Sequence, residues 1–266
     1  MALIQAQFYS ENLKRSVPFS ALLPIDTIEI PGEQVIPKLK NMKTLYLLHG
    51  YSANHMDWLY GSRIQELSLK YGVAVIMPSG DNNFYLDQKE KGEWYGEFIG
   101  NELLEMTRKL FHLSNRREDT YIGGLSMGGF GAIRNGLKYS DNYGGIIALS
   151  SALITNKIAG ISPGYKDNIA SYGYYTNVFG DLKQLRGSDN DPEALITQLK
   201  NESKTIPNIY MACGTEDFLL EENRDFNEFL NTESISHVYI ESPGTHDWKF
   251  WDDYIEKAIL WMLNDK

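Results

Sequence analysis

The stretch TYIGGLSMGGFGAI, residues 120–133, leads from a short β-favouring run into a Gly-x-Ser-x-Gly motif and then into a helix-forming pattern. This order is typical of a nucleophile elbow, in which a serine at a tight strand-to-helix turn projects its hydroxyl above the sheet. Glycines two residues before and after the serine leave room for the strained backbone. Ser126 is therefore the candidate nucleophile. A glycine-rich phosphate loop or a plain turn is the alternative, weakened because no Gly-Lys-Ser/Thr follows.

The chain as a whole has the composition of a globular protein. It has 266 residues, of which 42% are hydrophobic and 23% are charged, so it can bury a sizeable core. No linker rich in Pro, Gly or Ser divides the sequence. A single domain over residues 1–266 is therefore expected.

Charge, cysteine content and the lack of long apolar runs limit the partners and the location that the sequence predicts. The formal net charge is −10 and is spread along the chain, which disfavours binding to nucleic acid. The single cysteine, Cys213, follows a buried strand and is expected to be a packed thiol rather than a second nucleophile. The sequence has no signal-peptide pattern at its start and no apolar run long enough to span a membrane. A cytoplasmic protein without membrane contact is the expectation.

Short apolar runs alternate with helical patterns along most of the sequence. Buried strands are indicated at residues 44–48, 73–78, 145–150, 207–213 and 237–240, in addition to the elbow strand. Helices are predicted over residues 59–71, 101–112, 192–204, 218–230 and 251–262. Strands joined by helices predict a doubly wound, mostly parallel sheet of the α/β class. Residues 2–9 and 15–23 predict an antiparallel pair at its edge.

Two segments break this alternation. Residues 79–100 combine glycine, acidic and aromatic residues, which suits a loop carrying pocket walls, and a surface loop on the core is the alternative. Residues 152–190 scatter tyrosines among Gly, Asn and Asp. We interpret that segment as a cap-like insertion near the mouth of the site. The alternative is a segment that only packs against the domain and has no role at the site.

A serine hydroxyl needs a base to take its proton, and that base needs a carboxylate to fix its tautomer. Chain order in a fold with this elbow is serine, acid, histidine. Among five histidines, only His246 follows a late strand in a glycine-containing loop. Asp217 lies just past a strand end, where catalytic groups gather in open α/β sheets, and Glu216 is its local rival.

Two backbone amides are candidates for an oxyanion hole. The strand at 44–48 is followed by His49 and Gly50, and Gly50 permits a sharp turn, so the N–H of Tyr51 is the first candidate donor. The N–H of Met127, the residue after the nucleophile, is the second. No pattern in the sequence calls for a metal or an organic cofactor.

Five motifs together resemble the tributyrin esterases, of the esterase D-like group of α/β-hydrolases. They are LLHG at 47–50, NHxDW at 54–58, GGLSMGG at 123–129, CGxxDFL at 213–219 and GTHDW at 244–248. The resemblance spans nearly the whole chain. It implies an α/β-hydrolase fold and a serine carboxylesterase acting on short acyl esters, with Ser126, Asp217 and His246 in the positions of the triad.

The resemblance leaves the alcohol part of the small-molecule ester substrate open. Relatives of this group include S-formylglutathione hydrolases, acetyl-xylan and feruloyl esterases, and mycolyltransferases, so acyl transfer remains an alternative to hydrolysis. A non-catalytic binding protein is disfavoured because it need not keep nucleophile, base, acid and elbow together. Homo-oligomerisation is left open. Bulky residues in loops near the strand ends are candidate walls of the acyl pocket: Trp58, Trp94, Tyr95 and Trp248.

Overall fold

The computed structural model describes residues 1–25 and 42–264. The strands of this part of the chain are β1 (Ala2–Ser10), β2 (Arg15–Leu23), β3 (Thr44–Leu48), β4 (Ala74–Pro78), β5 (Asp87–Gln88), β6 (Glu93–Trp94), β7 (Thr120–Leu125), β8 (Gly145–Leu149), β9 (Asn208–Gly214) and β10 (His237–Ser242). Eight of them form one sheet in the order β1-β2-β4-β3-β7-β8-β9-β10. The pairs β1–β2 and β2–β4 are antiparallel, and all later pairs are parallel.

Helices connect the parallel strands. They are α1 (Asp57–Gly61), α2 (Ile64–Tyr71), α3 (Tyr95–Glu97), α4 (Leu103–Leu110), α5 (Met127–Lys138), α6 (Thr155–Ile158), α7 (Tyr172–Phe179), α8 (Pro192–Asn201), α9 (Leu220–Thr232) and α10 (Trp248–Asn264). This architecture confirms the predicted α/β class and the antiparallel pair at the edge. None of the helices in the described ranges is long and apolar enough to cross a membrane.

The central strands β3, β4, β7 and β8 are buried on both faces, as the apolar runs predict. In β3, Leu45 and Leu47 belong to the hydrophobic cluster that contains α2 and α10. Tyr46 and Leu48 belong to the larger cluster on the other face, with α4, α5, α8 and α9. Because side chains alternate along a strand, a continuous apolar run contributes side chains to both clusters. The strand ends, and the turns after them, are thereby fixed from two sides.

The helix predicted over residues 59–71 is broken into α1 and α2. The hydroxyl of Ser62 donates to the carbonyl of Trp58 at 2.6 Å, and it accepts from the N–H of Ile64 at 3.2 Å. Such side-chain bonds compete with helical backbone bonds. Asp252 of α10 then accepts the backbone N–H of Arg63 at 2.6 Å and its Nε–H at 2.7 Å. The break therefore depends on a partner almost two hundred residues away, which local periodicity does not reveal.

The helix predicted over residues 101–112 is α4, and its helical backbone begins earlier than expected. A π-helical turn, Phe98–Glu102, joins α4 to the preceding α3. The carboxylate of Asp87 accepts the N–H of Gly96 at 2.7 Å and that of Glu97 at 3.2 Å, which satisfies the amides at the start of α3. Part of the predicted loop at 79–100 is therefore helical.

The start of α5 lies against the end of β3 with no room for side chains. A Cβ at Gly124 would lie 2.5 Å from the carbonyl of Gly128 and 2.9 Å from that of Leu48. A Cβ at Gly128 would lie 2.5 Å from the carbonyl oxygen of Leu48 and 2.6 Å from that of His49. Both motif glycines are required because backbone, not flexible side chain, occupies the space.

The variant Gly128→Ala tests this close approach. We expect it to lower the free energy of unfolding by about 1–3 kcal/mol, since the methyl group forces backbone apart. The matched control is Gly173→Ala in α7, where the nearest atom to an added Cβ is 3.9 Å away. That change should be neutral or stabilise by about 0.4–1 kcal/mol. Urea unfolding curves measure both, and equal midpoints for the two variants would contradict the packing argument.

Candidate active site

Ser126 occupies a strained turn between β7 and α5. Its backbone has φ 54° and ψ −118°, a conformation that non-glycine residues seldom adopt. The N–H of Ser126 donates to the carbonyl of Leu149 at 2.9 Å. Its carbonyl accepts the N–H groups of Phe130 at 3.1 Å and Ala152 at 3.0 Å. The neighbouring strand end, the helix and the chain after β8 together hold the strained backbone in place.

His246 and Asp217 form a hydrogen-bonded pair. Nδ1 of His246 lies 2.9 Å from Oδ2 and 3.1 Å from Oδ1 of Asp217. Asp217 is 6% exposed. Burial alone would raise the pKa of Asp217, but hydrogen bonds from His246 and from the N–H of Leu219 outweigh burial, so the pKa lies below its ordinary value. The carboxylate therefore stays ionised at neutral pH and can orient the imidazole.

The turn after β9 and the loop after β10 bring this pair together. The N–H of Thr215 donates to Ser242 at 2.9 Å, and that of Glu216 donates to the carbonyl of Gly244 at 3.0 Å. A side chain at Gly214 would overlap the backbone of Gly244. Because the two segments touch through backbone, the aspartate and the histidine face each other across a short gap.

Other carboxylates that follow Ser126 in the chain have separate partners. Glu216 accepts the N–H of Gly244 at 2.6 Å and is turned toward that loop backbone. Asp247 accepts the N–H of Phe250 at 3.0 Å at the start of α10. Asp191 accepts the N–H of Glu193 and is the N-cap of α8. The structure thus brings His246 together with Asp217, and not with its sequence neighbour Glu216.

Three other histidines have partners of their own. His49 is buried, with Nδ1 donating to the carbonyl of Gly50 at 2.7 Å and Nε2 accepting the N–H of Gly80 at 2.8 Å. Burial lowers the pKa of His49, so it is a neutral structural residue. Nδ1 of His55 lies 2.8 Å from the hydroxyl of Ser20. His237 places its ring nitrogens 2.8 Å from the carbonyl of Ile235 and Oδ1 of Asn227.

A cavity of about 510 Å³ opens beside Ser126. More than half of its lining residues come from residues 152–190, and the cap-like insertion stays a prediction. Tyr51 and Met127, the predicted oxyanion donors, both line this cavity as well. Met127 is the first residue of α5, so its N–H has no acceptor within the helix. The lining residues are Tyr51, Phe84, Ser126, Met127, Ala152, Ile154, Lys157, Ile158, Asp167, Asn168, Ile169, Tyr175, Phe218 and Leu219.

The four aromatic residues predicted as acyl-pocket walls do not line this cavity. Trp58 is buried on the opposite face, where its indole N–H donates to the carbonyl of Leu48 at 2.9 Å. Trp248 packs edge-on against Trp58 at 5.3 Å. Trp94 lies in the β5–β6 pair, and the hydroxyl of Tyr95 donates to Asp81. Trp58 and Trp248 follow strand ends in the sequence, but a side chain beyond a strand can turn to either face of the sheet, and these two belong to the cluster on the other face.

The cavity is lined by Phe84, Tyr175 and Phe218, which were not among the candidate pocket residues. Phe84 and Tyr175 lie in the two irregular segments that the sequence already marked as aromatic. Phe218 directly follows Asp217, and adjacency to the candidate acid was the available signal. Cys213 is fully buried, and burial and the charge of Asp217 raise its pKa to about 12. As expected, that thiol is packed and protonated.

The choice of acid can be tested by paired amide substitutions. Asp217→Asn should lower kcat on an ester substrate by about 10⁴-fold, because an amide no longer fixes the tautomer of His246. Glu216→Gln should leave kcat within a small factor, since Glu216 bonds the N–H of Gly244 instead. Steady-state kinetics of both purified variants measure this. A larger loss for Glu216→Gln than for Asp217→Asn would show that the assignment is wrong.

Comparisons with known proteins fit this geometry. A family model described as "Putative esterase" matches residues 10–262. An "Acetyl esterase" from Caldicellulosiruptor saccharolyticus is 56% identical over 262 residues, which cover 98% of each chain. The substrate-bound fluorophosphonate-binding serine hydrolase F of Staphylococcus aureus has a TM-score of 0.86 at 30% identity, over 99% of both chains. An S-formylglutathione hydrolase from the same organism has a TM-score of 0.82 at 28% identity, over 98% of both chains.

The similarity to these solved structures extends over nearly the whole chain, whose sheet has eight, mostly parallel strands, so the predicted α/β-hydrolase fold is confirmed. The sequence resemblance is confirmed at the level of an esterase. The family match covers most of the chain, and the similarity to the acetyl esterase extends over nearly all of both proteins. The chain is a carboxylic ester hydrolase, and it belongs to the esterase family described as "Putative esterase".

Proposed function

We propose that the protein hydrolyses short-chain acyl esters of uncharged alcohols through an acyl-enzyme on Ser126, with His246 as base and Asp217 as acid of the triad. The observation that carries the proposal is the His246–Asp217 pair at 2.9 Å, together with a strained Ser126 on the cavity wall. The 56% identity to an acetyl esterase supports a short acyl group. The resemblance to tributyrin esterases agrees with it.

In the first half-reaction, Oγ of Ser126 attacks the acyl carbonyl carbon while its proton passes to Nε2 of His246. The backbone N–H groups of Met127 and Tyr51 stabilise the oxyanion of the tetrahedral intermediate. When the intermediate collapses, the ester C–O bond breaks and His246 returns the proton to the departing alcohol. Ser126 is then acylated.

In the second half-reaction, water attacks the acyl carbon and gives its proton to His246. Collapse of the second intermediate breaks the bond to Oγ, and His246 reprotonates Ser126. The carboxylic acid leaves. Asp217, held ionised by its hydrogen bonds, stabilises the imidazolium formed in both steps.

The walls of the cavity support a short acyl group. Phe84 lines the cavity, and behind its ring lie Phe130 at 5.5 Å and Phe179 at 4.9 Å, measured between ring centroids. Tyr175 also lines the cavity, and the centroid of its ring lies 6.4 Å from that of Phe179. Each methylene that finds room gains about 0.8 kcal/mol of burial. A methylene of the acyl chain that is pressed against a packed aromatic wall costs about 1–3 kcal/mol. The affinity for the ester should therefore fall once the space is filled.

The charged groups that line the cavity already have partners, which supports an uncharged alcohol. Nζ of Lys157 lies 3.3 Å from Glu222. The carboxylate of Asp167 accepts the N–H groups of Ile169 at 2.9 Å and Ala170 at 2.8 Å, and the hydroxyl of Tyr175 at 2.9 Å. A negatively charged leaving group would lose water and would meet, among the described lining residues, a carboxylate and a lysine that is already paired. S-formylglutathione, whose leaving group carries carboxylates, is therefore disfavoured as the preferred substrate.

A chain-length series tests the proposed substrate class. With one leaving group and acyl chains from about two to twelve carbons, kcat/KM should peak among acetyl to butyryl esters and then fall, because burial gains give way to steric cost. Ser126→Ala should abolish turnover throughout the series. A profile that rises through the long chains would contradict the short-acyl proposal, and S-formylglutathione turned over faster than acetyl esters would identify a thioesterase. Added alcohols consumed as acyl acceptors in preference to water would identify a transferase.

Phe84→Leu tests the wall directly. The smaller side chain opens space behind the cavity, so the best acyl chain should lengthen by about one or two methylenes, each gaining about 0.8 kcal/mol. The control is Phe19→Leu, because Phe19 is as buried as Phe84 but packs against Phe8 and Phe111 in the other part of the same cluster. Phe19→Leu should lose stability without changing the chain-length profile. Identical profiles for Phe84→Leu and the wild type would show that Phe84 does not limit the acyl chain.

A further inference from the structure

Two aromatic rings contact the imidazole of His246. The ring of Phe218 lies 4.5 Å from it, tilted by 48°, and the ring of Trp251 lies 4.9 Å away at 89°. Phe218 is 62% exposed, whereas Trp251 is 7% exposed. One ring therefore meets the histidine from the solvent side of the site, and the other meets it from the core.

Trp251 is itself anchored to the sheet. Its indole N–H donates to the hydroxyl of Ser150 at 3.1 Å. The N–H of Ser150 donates to the carbonyl of Ala212 in β9 at 2.8 Å, and Ser150 adopts φ 46°. Trp248 packs edge-on against Trp251 at 5.3 Å. The tryptophan thus joins α10 to the ends of β8 and β9, and its ring position is fixed relative to Asp217.

Phe218 belongs to the turn that carries the acid. Within that turn, Oδ1 of Asp217 accepts the N–H of Leu219 at 2.9 Å. Phe218 has no place in either hydrophobic core cluster of the described chain, although it is a large apolar residue. Its ring lies against His246 and lines the cavity instead. The ring contact of Phe218 is therefore with the imidazole of the site.

The hydrogen bond to Asp217 fixes one nitrogen of His246 but leaves rotation about that bond open. Catalysis needs Nε2 held toward Oγ of Ser126, since a displacement of about 1 Å can cost about 10²-fold in rate. Two rings packed on the imidazole restrict that rotation. We propose that Trp251, anchored by Ser150, and Phe218 are positioning residues that hold Nε2 of His246 in line with the nucleophile. This inference rests on the proposed triad.

Substitutions at Trp251 test the buried ring. Trp251→Leu removes the aromatic contact and should lower kcat by about 10- to 100-fold with KM unchanged. Trp251→Phe keeps a ring while losing the bond to Ser150, so it should restore part of that loss. The matched control is Trp261→Phe, because Trp261 lies in the same helix but packs on Tyr121 and Tyr210. It should leave kcat unchanged.

Phe218→Leu tests the exposed ring with two acetate esters, one of an aliphatic alcohol and one of a phenol. A positioning role predicts the same loss in kcat for both esters, because the imidazole is displaced whichever alcohol leaves. A loss confined to KM for the phenyl ester would instead make Phe218 a contact for the leaving group and would overturn its positioning role.

Proton NMR adds a readout that does not depend on turnover. The Nδ1–H proton of His246 should exchange with water faster in Trp251→Leu than in Trp261→Phe, because a loosened ring opens its bond to Asp217 more often. Folded Trp251→Leu protein with unchanged kcat and unchanged exchange would overturn the inference while leaving the triad intact. Turnover surviving in Ser126→Ala or His246→Ala would refute the proposed function itself, so the two failures are distinguishable.

Discussion

The site depends on the backbone of Ser126, held at φ 54° by bonds to Leu149, Phe130 and Ala152. A strained backbone conformation of this kind persists only where the surrounding contacts stabilise it by more than the strain costs. Here the strand end of β8 and the first turn of α5 supply the partners. The glycines at 124 and 128 let that helix start against the backbone of β3. The elbow is thus a consequence of how two strands and one helix meet.

The proposed acid and base are positioned by a second backbone contact, between the turn after β9 and the loop after β10. Gly214 allows the two segments to touch, and the bond from Glu216 to Gly244 joins them. The buried Asp217 then has His246 and the N–H of Leu219 as partners. These bonds overcome the cost of burial and keep the carboxylate charged. Aromatic packing by Trp251 and Phe218 completes the surroundings of the imidazole.

The sequence was most informative where a local rule determines the structure. The Gly-x-Ser-x-Gly motif and the strand-end placement of Asp217 and His246 are local signals, and the apolar runs identify strands because a doubly covered sheet needs both faces apolar. The residues that line the proposed acyl pocket have no local sequence signal of this kind. The 152–190 segment takes its course from the bonds of Asp167 and from the hydroxyl of Tyr174, which donates to the carbonyl of Asn82 at 2.8 Å. Only tertiary structure shows which of its side chains reach the cavity, and the same holds for Trp58, which turned to the other face.

The central claim is that an acyl group is carried on Ser126 during turnover. The most direct measurement is mass spectrometry of the enzyme quenched with acid while it turns over excess acetyl ester, followed by peptide mapping. The account predicts a mass increase of one acetyl group on the peptide that contains Ser126, and none in Ser126→Ala. An acetyl group found instead on the peptide that contains Cys213, or an unlabelled Ser126 in burst-phase samples, would contradict it.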